Sequence, residues 1–478
     1  MSQPDAAPRN APAIPTDEAW PAPFHPGPFN ASIRVPGSKS LTNRFIVLAA
    51  LGDQPSVIRE PLVARDTVLM ARALEAMGTG LEFYDNALFV YPGPLKGASI
   101  HAGLAGTVMR FLPAVAALAT GDVTIDGDEA ARVRPMDPVV RAVKQLGVHV
   151  DHGTNAADQA TLPVTIHGKG TVHGGQINID ASASSQFISA MLLAAPRMVG
   201  GLELRHTGGP IPSTPHLDMT VDVLRDSGIE VFTFPQDAGP VRPGHPAVRW
   251  LVLPGVPDVG NVEVEPDLSN AGPFLAAAMV TGGSVEIQGW PRITKQPGDQ
   301  LRTILAHMGA SVAMMAGRLQ VTGPATIEPI DLDMHDVGEL VPTIAAIAAF
   351  ASGTSSIRNI GQLRGHETDR LNAITTELTR VGCNAWVVGD DLFIEPRPLH
   401  GATLHTYEDH RMATFAAIIG LRVPEVYVEN IATTAKTLPQ FPQMWADLVA
   451  DSPVVRAASL EISSDDDGSH APSSGANA

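Results

Sequence analysis

Several short segments concentrate residue types able to hold anions. In P-G-S-K-S-L-T-N-R, Lys39, Ser40 and Arg44 open a helix-like run, where a cation, a hydroxyl and a second cation one turn on can flank one anion. A Walker A loop is excluded, because its lysine follows a glycine directly and here Ser38 stands between Gly37 and Lys39. A-G-T-V-M-R sets Gly106, Thr107 and Arg110 at a second such start, and A-S-A-S-S-Q-F offers Ser184, Ser185 and Gln186 as neutral donors. A serine-rich helix start is equally an ordinary N-cap. Glu367, Asp369 and Arg370 of E-T-D-R open an amphipathic segment, where the helix dipole alone favours acids. Asp409, His410 and Arg411 of D-H-R-M directly precede an apolar helix, and Glu339 precedes another; charge at such a position needs a partner to be buried. Lys436, in T-A-K-T-L-P, draws notice as one of only six lysines.

These segments share one setting. A small or polar cluster, an apolar helix-like run, a Gly turn and a β-branched strand recur six times, opening at Ser38, Ala105, Ser184, Leu268, Gly338 and Glu408. A helix apolar on nearly every side must be buried on nearly every side, so each copy predicts a central helix under a sheet. After most copies comes an amphipathic segment closing on glycine (66–78, 136–147, 217–228, 300–309 and 367–382), where Gly suits a C′ cap. Strand-like runs follow, giving units of helix, strand, helix, strand and strand, and two domains of three units each. The six polar openings fall at the inner helices' N-termini, where free N–H groups and the dipole favour anions.

Composition bounds the rest. The 478 residues carry 32 Lys+Arg against 50 Asp+Glu, a net charge of −18, which is no nucleic-acid binder's surface, while 44% hydrophobic residues suffice for large cores. The single cysteine, Cys383, forms no intrachain disulfide and no Cys-based zinc site, which points to a reducing cytoplasm. The N-terminus lacks the basic and apolar regions of a secretory signal, and no apolar stretch reaches membrane-spanning length. Residues 1–24 and 457–478, the latter containing E-I-S-S-D-D-D-G, are expected to be disordered tails.

Taken together and in order, P-G-S-K-S-x-T-N-R, A-G-T-x-M-R, S-S-Q-F, E-T-D-R and D-H-R-M resemble the 5-enolpyruvylshikimate-3-phosphate synthases (3-phosphoshikimate 1-carboxyvinyltransferases) over about residues 30–449. The resemblance implies an α/β enolpyruvyl transferase fold of two lobes. Each is a threefold repeat around buried helices, an inside-out α/β barrel: residues 38–264 form one lobe, and 25–37 plus 265–456 the other. It implies transfer of the enolpyruvyl group of phosphoenolpyruvate to the 5-hydroxyl of shikimate 3-phosphate. No metal or organic cofactor is implied, nor any nucleic-acid or membrane partner, and the expected state is a cytoplasmic monomer.

By the same resemblance Lys39, Ser40, Arg44, Ser184, Ser185, Gln186, Ser213, Glu339 and His366 contact shikimate 3-phosphate. Lys39, Gly106, Arg134, Gln186, Arg370, Arg411 and Lys436 hold phosphoenolpyruvate, a trianion that needs several cations. Addition to an enol ether requires one group to take the hydroxyl proton and one to protonate the methylene carbon, roles that fall to Glu339 and Glu367. Lys39 joins them as catalytic, and Lys436 or His410 stabilises charge as phosphate leaves. Family members bind glyphosate where phosphoenolpyruvate sits. The chain departs from the family pattern in having Glu339 where Asp is common, His366 where Lys is common, and Leu104 where Asn is common. In A-A-R-V-R-P, Arg134 matches the family arginine and Arg132 stands as a second candidate. The UDP-N-acetylglucosamine enolpyruvyl transferases share the fold but commonly use a mobile-loop cysteine, whereas Cys383 follows the glycine that ends an amphipathic helix.

Overall fold

The computed structural model describes residues 19–234, 249–365 and 367–450, with the backbone of 455–456. Six helices form its interior: Lys39–Ala50, Gly106–Ala116, Gln186–Ala194, Leu268–Thr281, Val341–Ala348 and His410–Arg422. Their sequences are apolar around most of the circumference, and in Leu268–Thr281 every residue is buried. They divide between two hydrophobic cores that share no residue. One core runs from Leu41 to Val264; the other takes Phe29, Ala31, Ile33 and Val35 together with residues from Leu268 to Leu448. The chain therefore passes between cores twice, once between Val35 and Leu41 and once between Val264 and Leu268.

Around each of the first five inner helices the fold builds a unit of strand, helix, strand, helix and hairpin. The unit around Gly106–Ala116 shows the plan: Lys96–His101 pairs parallel with Thr120–Asp126, which pairs antiparallel with Ala160–Lys169, whose hairpin partner is the edge strand His149–Thr154. The amphipathic second helices, Arg65–Ala76, Asp137–Gln145, Pro215–Asp226, Leu301–His307 and Arg370–Arg380, cover the outside. Gly78, Gly147, Gly228, Gly309 and Gly382, each two residues past a helix end, have φ of +111°, +81°, +80°, +97° and +95°, the left-handed cap for which glycine carries no Cβ penalty.

The leading strand of each unit is absent from the repeat as read in the sequence. In two units it comes from a distant part of the sequence. Asn30–Arg34 lies parallel to Ser284–Gln288, and Asn261–Glu263 lies parallel to Ser56–Arg59, so the strand beside each crossover completes the first unit of its own core. At the crossing, Gly37 bridges Pro266, the Ser38 N–H donates to the Glu265 carbonyl at 2.8 Å, and the Asp267 N–H donates to that of Pro36 at 2.9 Å. A Cβ on Gly37 would overlap the Glu60 carbonyl oxygen.

The sixth unit lacks a hairpin of its own. Its sheet consists of Thr403–Leu404 and, antiparallel to Tyr427–Val428, the strand Trp20–Pro21. This corrects the expected N-terminal tail: residues 19–24 belong to the fold, with the Ala22 N–H donating to the Val426 carbonyl at 3.0 Å. The remainder of that expected tail, 1–18, and all of 457–478 lie outside the described residues.

Candidate active site

The N-termini of inner helices from both halves converge on one cavity. The first half supplies Lys39 and Ser40, Gly106 and Arg110, Ser184 to Gln186, Arg134 and Ser213; the second supplies Glu339, Glu367, Arg370, His410 and Arg411. Helix starts leave backbone N–H groups without intrahelical partners, and converging several of them makes the cavity electropositive inside an acidic protein.

On the second-half wall, Glu367 accepts from Lys436 Nζ at 2.8 Å through Oε1 and meets His410 Nδ1 at 3.3 Å through Oε2. Burial favours the neutral acid, but His410, Lys436 and Arg370 outweigh it and hold the carboxyl well below its usual range. Burial pushes His410 down, against the pull of Glu367, and its contact with Glu367 is made through Nδ1. Arg370 forms a two-pronged pair with fully buried Asp409, Nε to Oδ2 at 2.7 Å and Nη2 to Oδ1 at 3.1 Å. Asp409 also caps the helix that starts at His410, accepting from the Arg411 N–H at 2.8 Å. One carboxylate thus fixes both Arg370 and the D-H-R segment. Just upstream, Tyr407 and Glu408 both have positive φ, +53° and +55°, an unfavourable pair for L-residues. The Tyr407 hydroxyl holds this bend by donating to buried Glu377 at 2.6 Å.

Glu339 faces the cavity from the adjacent unit. Its Oε1 is buried without a hydrogen bond, and His216 Nε2, from the first half, stands 3.6 Å away. Burial alone would raise this carboxyl; His216, a backbone N–H and Arg411 together outweigh it, and the net shift is downward. Arg411 donates to the Ser269 carbonyl at 3.0 Å, and burial lowers its pKa.

On the first-half wall, Arg110 Nη1 donates to Gln186 Oε1 at 2.8 Å and Ser184 Oγ at 3.1 Å, and its guanidinium lies over the Phe187 ring. Arg134 donates to the Leu104 carbonyl at 3.2 Å, while its Nε is buried without a partner. Arg132 instead faces outward to pair with Asp126, so of the two candidates Arg134 is the one at the cavity. Lys39 Nζ pairs with Asp66 at 3.2 Å, and its backbone N–H donates to Asp267 across the crossover at 3.2 Å. Ser213 adopts φ +54° at the lip, and its N–H donates to the His335 carbonyl of the second half at 3.4 Å.

Two sequence expectations need separate statement. Arg44 is not at the cavity surface: it is 1% exposed, with Nε on Thr220, Nη1 on the Ser40 carbonyl, and Nη2 on the His216 carbonyl and Ser189. It holds the wall from behind, and desolvation lowers its pKa to about 9. His366 lies outside the described residues. Residues at the cavity that motif reading left without a role are Asp66, Arg110, His216 and Asp267. Only Arg110 had a signal, its place in A-G-T-V-M-R.

The EPSP synthase (3-phosphoshikimate 1-carboxyvinyltransferase) family profile matches residues 24–445. A 3-phosphoshikimate 1-carboxyvinyltransferase of Kocuria rhizophila is 50% identical over 460 residues, covering 92% of this chain and 99% of that protein. The chain belongs to the EPSP synthase family. The solved EPSP synthase of Acinetobacter baumannii shares the fold, with TM-score 0.72 at 23% identity over 90% of this chain and 97% of that one. So does the enolpyruvyl transferase NikO of Streptomyces tendae, with TM-score 0.68 at 17% identity over 89% and 96%. As in those EPSP synthases, the fold is the two-lobed enolpyruvyl transferase architecture. Cys383, the only cysteine, is 2% exposed and burial pushes its thiol up to about 11, so the chain has no reactive loop cysteine. Among the described residues, no helix is long and apolar enough to cross a membrane.

Proposed function

We infer that the inter-lobe cavity carries out the family reaction: transfer of the enolpyruvyl group of phosphoenolpyruvate to the 5-hydroxyl of shikimate 3-phosphate, with release of phosphate. The observation that carries the reading is the meeting, in one cavity, of two carboxylates, Glu339 and Glu367, with cations from both halves. The lobes are assigned as residues 38–264 and 25–37 plus 265–456.

In the addition step, Glu339 takes the proton of the hydroxyl as its oxygen bonds C2 of phosphoenolpyruvate. Its low pKa leaves it ionised and ready to accept that proton. The methylene carbon C3 takes a proton from Glu367, giving a tetrahedral intermediate. Glu367 is ionised while Lys436 and Arg370 face it; when the carboxylate and phosphate of phosphoenolpyruvate engage those cations, its proton affinity rises and it can carry the proton it delivers. In the elimination step the methyl group returns a proton to Glu367, the C2–phosphate oxygen bond breaks with the departing phosphate taking the proton that Glu339 received from the hydroxyl, and the enol ether re-forms. Lys436 stabilises the departing phosphate, and His410 orients Glu367.

Arg134, Arg370, Arg411 and Lys39 bind phosphoenolpyruvate around Gly106 and Gln186. Ser40, Ser184, Ser185, Gln186 and Ser213 bind shikimate 3-phosphate, with Arg44 positioning Ser40 rather than touching substrate. His366 is proposed to join them. The protein is proposed to act as a cytoplasmic monomer, and the reaction requires neither nucleic acid nor membrane.

The deciding experiment is phosphate release with each substrate alone and with both. Release only with both is expected; release from phosphoenolpyruvate alone, or none at all, overturns the reading. Glu339→Gln and Glu367→Gln should bind substrate yet turn over poorly. Either role is withdrawn if its variant keeps more than about a tenth of wild-type kcat, a barrier change under about 1.4 kcal/mol.

A further inference from the structure

Away from the cavity, on the sheet of the second unit, His149, His167 and Asp122 form a row across three neighbouring strands: His149 faces His167, and His167 faces Asp122. Asp151, two residues after His149 on the edge strand, falls on the same face. The side chains converge. Asp151 lies between the two rings, with Oδ1 3.2 Å from His149 Nε2 and Oδ2 2.9 Å from His167 Nε2, and the imidazoles stack with centroids 5.0 Å apart. One ligand atom from each of His149, Asp151 and His167 lies within 4.8 Å of the others. In a tetrahedral zinc site with bonds of about 2.0–2.1 Å, neighbouring ligand atoms stand roughly 3.3 Å apart, close to the two separations found.

A second feature distinguishes this cluster from scattered surface charge. His167 Nδ1 is 2.8 Å from Asp122 Oδ1, and a carboxylate on the far ring nitrogen fixes the tautomer that leaves Nε2 to bind a metal. The backbone beneath is a paired sheet, so the ligands are held in place before any ion arrives. The proposed reaction uses none of these residues.

We propose that His149, Asp151 and His167 form a binding site for a divalent transition metal of the zinc class, with Asp122 orienting His167 and solvent completing the coordination. Two imidazoles and one carboxylate suit zinc, nickel or copper rather than magnesium or calcium. Binding replaces the proton shared between His167 Nε2 and Asp151 and clips the edge strand His149–Thr154 to Ala160–Lys169.

The test uses the full chain, freed of metal and titrated with Zn2+ alone against a chromophoric chelator, beside His149→Ala, His167→Ala and Asp122→Asn. One zinc per wild-type chain is expected, lost in both alanine variants and weakened about tenfold or more in Asp122→Asn. Phosphate release by the metal-free alanine variants should match wild type, since none of the three residues lines the cavity. Among the described residues, the other cluster of possible ligands is Glu367, Asp409 and His410, of which Glu367 and His410 line the cavity; zinc held there would survive both alanine variants and be displaced by substrate. That result, or no binding below about 0.1 mM zinc, overturns the proposal.

Discussion

His216 and Glu339 come from opposite halves of the chain yet stand 3.6 Å apart. Because His216 lowers the Glu339 carboxyl against the burial that would raise it, its removal has a definite sign. In His216→Ala the Glu339 pKa rises, so the carboxylate is lost at a higher pH as the solution is acidified. The acid limb of the kcat/KM profile should move up, while the rate at pH 8 changes less; an unmoved limb would separate Glu339 from His216. Gly106 gives a second prediction at this scale. A Cβ there would stand 3.4 Å from Arg134 Nη2 and 3.5 Å from Gln186 Oε1, ordinary contacts that leave the protein intact but fill the space between two ligand-facing groups. Gly106→Ala should therefore weaken glyphosate inhibition by a larger factor than it raises the KM for phosphoenolpyruvate; equal factors would refute steric selectivity. Motif reading found Gly106 because its segment is distinctive. It missed His216 because one histidine after proline carries no pattern, and it set Arg44 at the substrate because a fully buried arginine is an exception to what composition predicts.

Elements were legible to the extent that their own residues decide them. An all-round apolar helix and a terminal glycine are local facts, so the inner helices and the capped outer ones could be read directly. The leading strands could not: Asp331–Asp333 and Thr403–Leu404 are two or three residues long, and their identity rests on a neighbour distant in sequence. The strands beside the crossovers, Asn30–Arg34 and Asn261–Glu263, are the extreme case, since each pairs with a strand about two hundred residues or more away in sequence. That crossing depends on close approach at Gly37, where a side chain would meet the Glu60 carbonyl oxygen. Gly37→Ala forces backbone apart at the point where Lys39 begins its helix. Overpacking of this kind costs about 1–3 kcal/mol, so a lower urea midpoint is expected together with a raised KM for both substrates. Unchanged midpoint and KM would show that the crossover yields without cost.

At the scale of the whole molecule, the site exists only where the halves meet. Arg370 of the second half disfavours the charge of Arg134 of the first half and of Arg411 beside it, while Glu367, Asp66 and Asp267 favour those charges, and bound anions would ease the remaining repulsion. Opposing it are contacts beside Glu339: Thr214 donates through N and Oγ1 to Asp336 at 3.2 and 2.9 Å, and His335 Nε2 meets the Ile211 carbonyl at 3.2 Å. The halves are also tied through two adjacent crossovers, a geometry that permits hinge closure. Saturating shikimate 3-phosphate with phosphoenolpyruvate should therefore reduce the radius of gyration seen by small-angle scattering. Asp336→Ala, which removes the acceptor for Thr214 without touching an assigned ligand, shifts the balance toward the open form. Since the competent form is then a smaller fraction of the population, apparent affinity falls in proportion: KM for shikimate 3-phosphate should rise more than kcat falls, and the ligand-free radius of gyration should grow. An equal radius with and without ligands, in wild type and variant alike, would mean that the lobes are already held shut and that the cavity fills without closure.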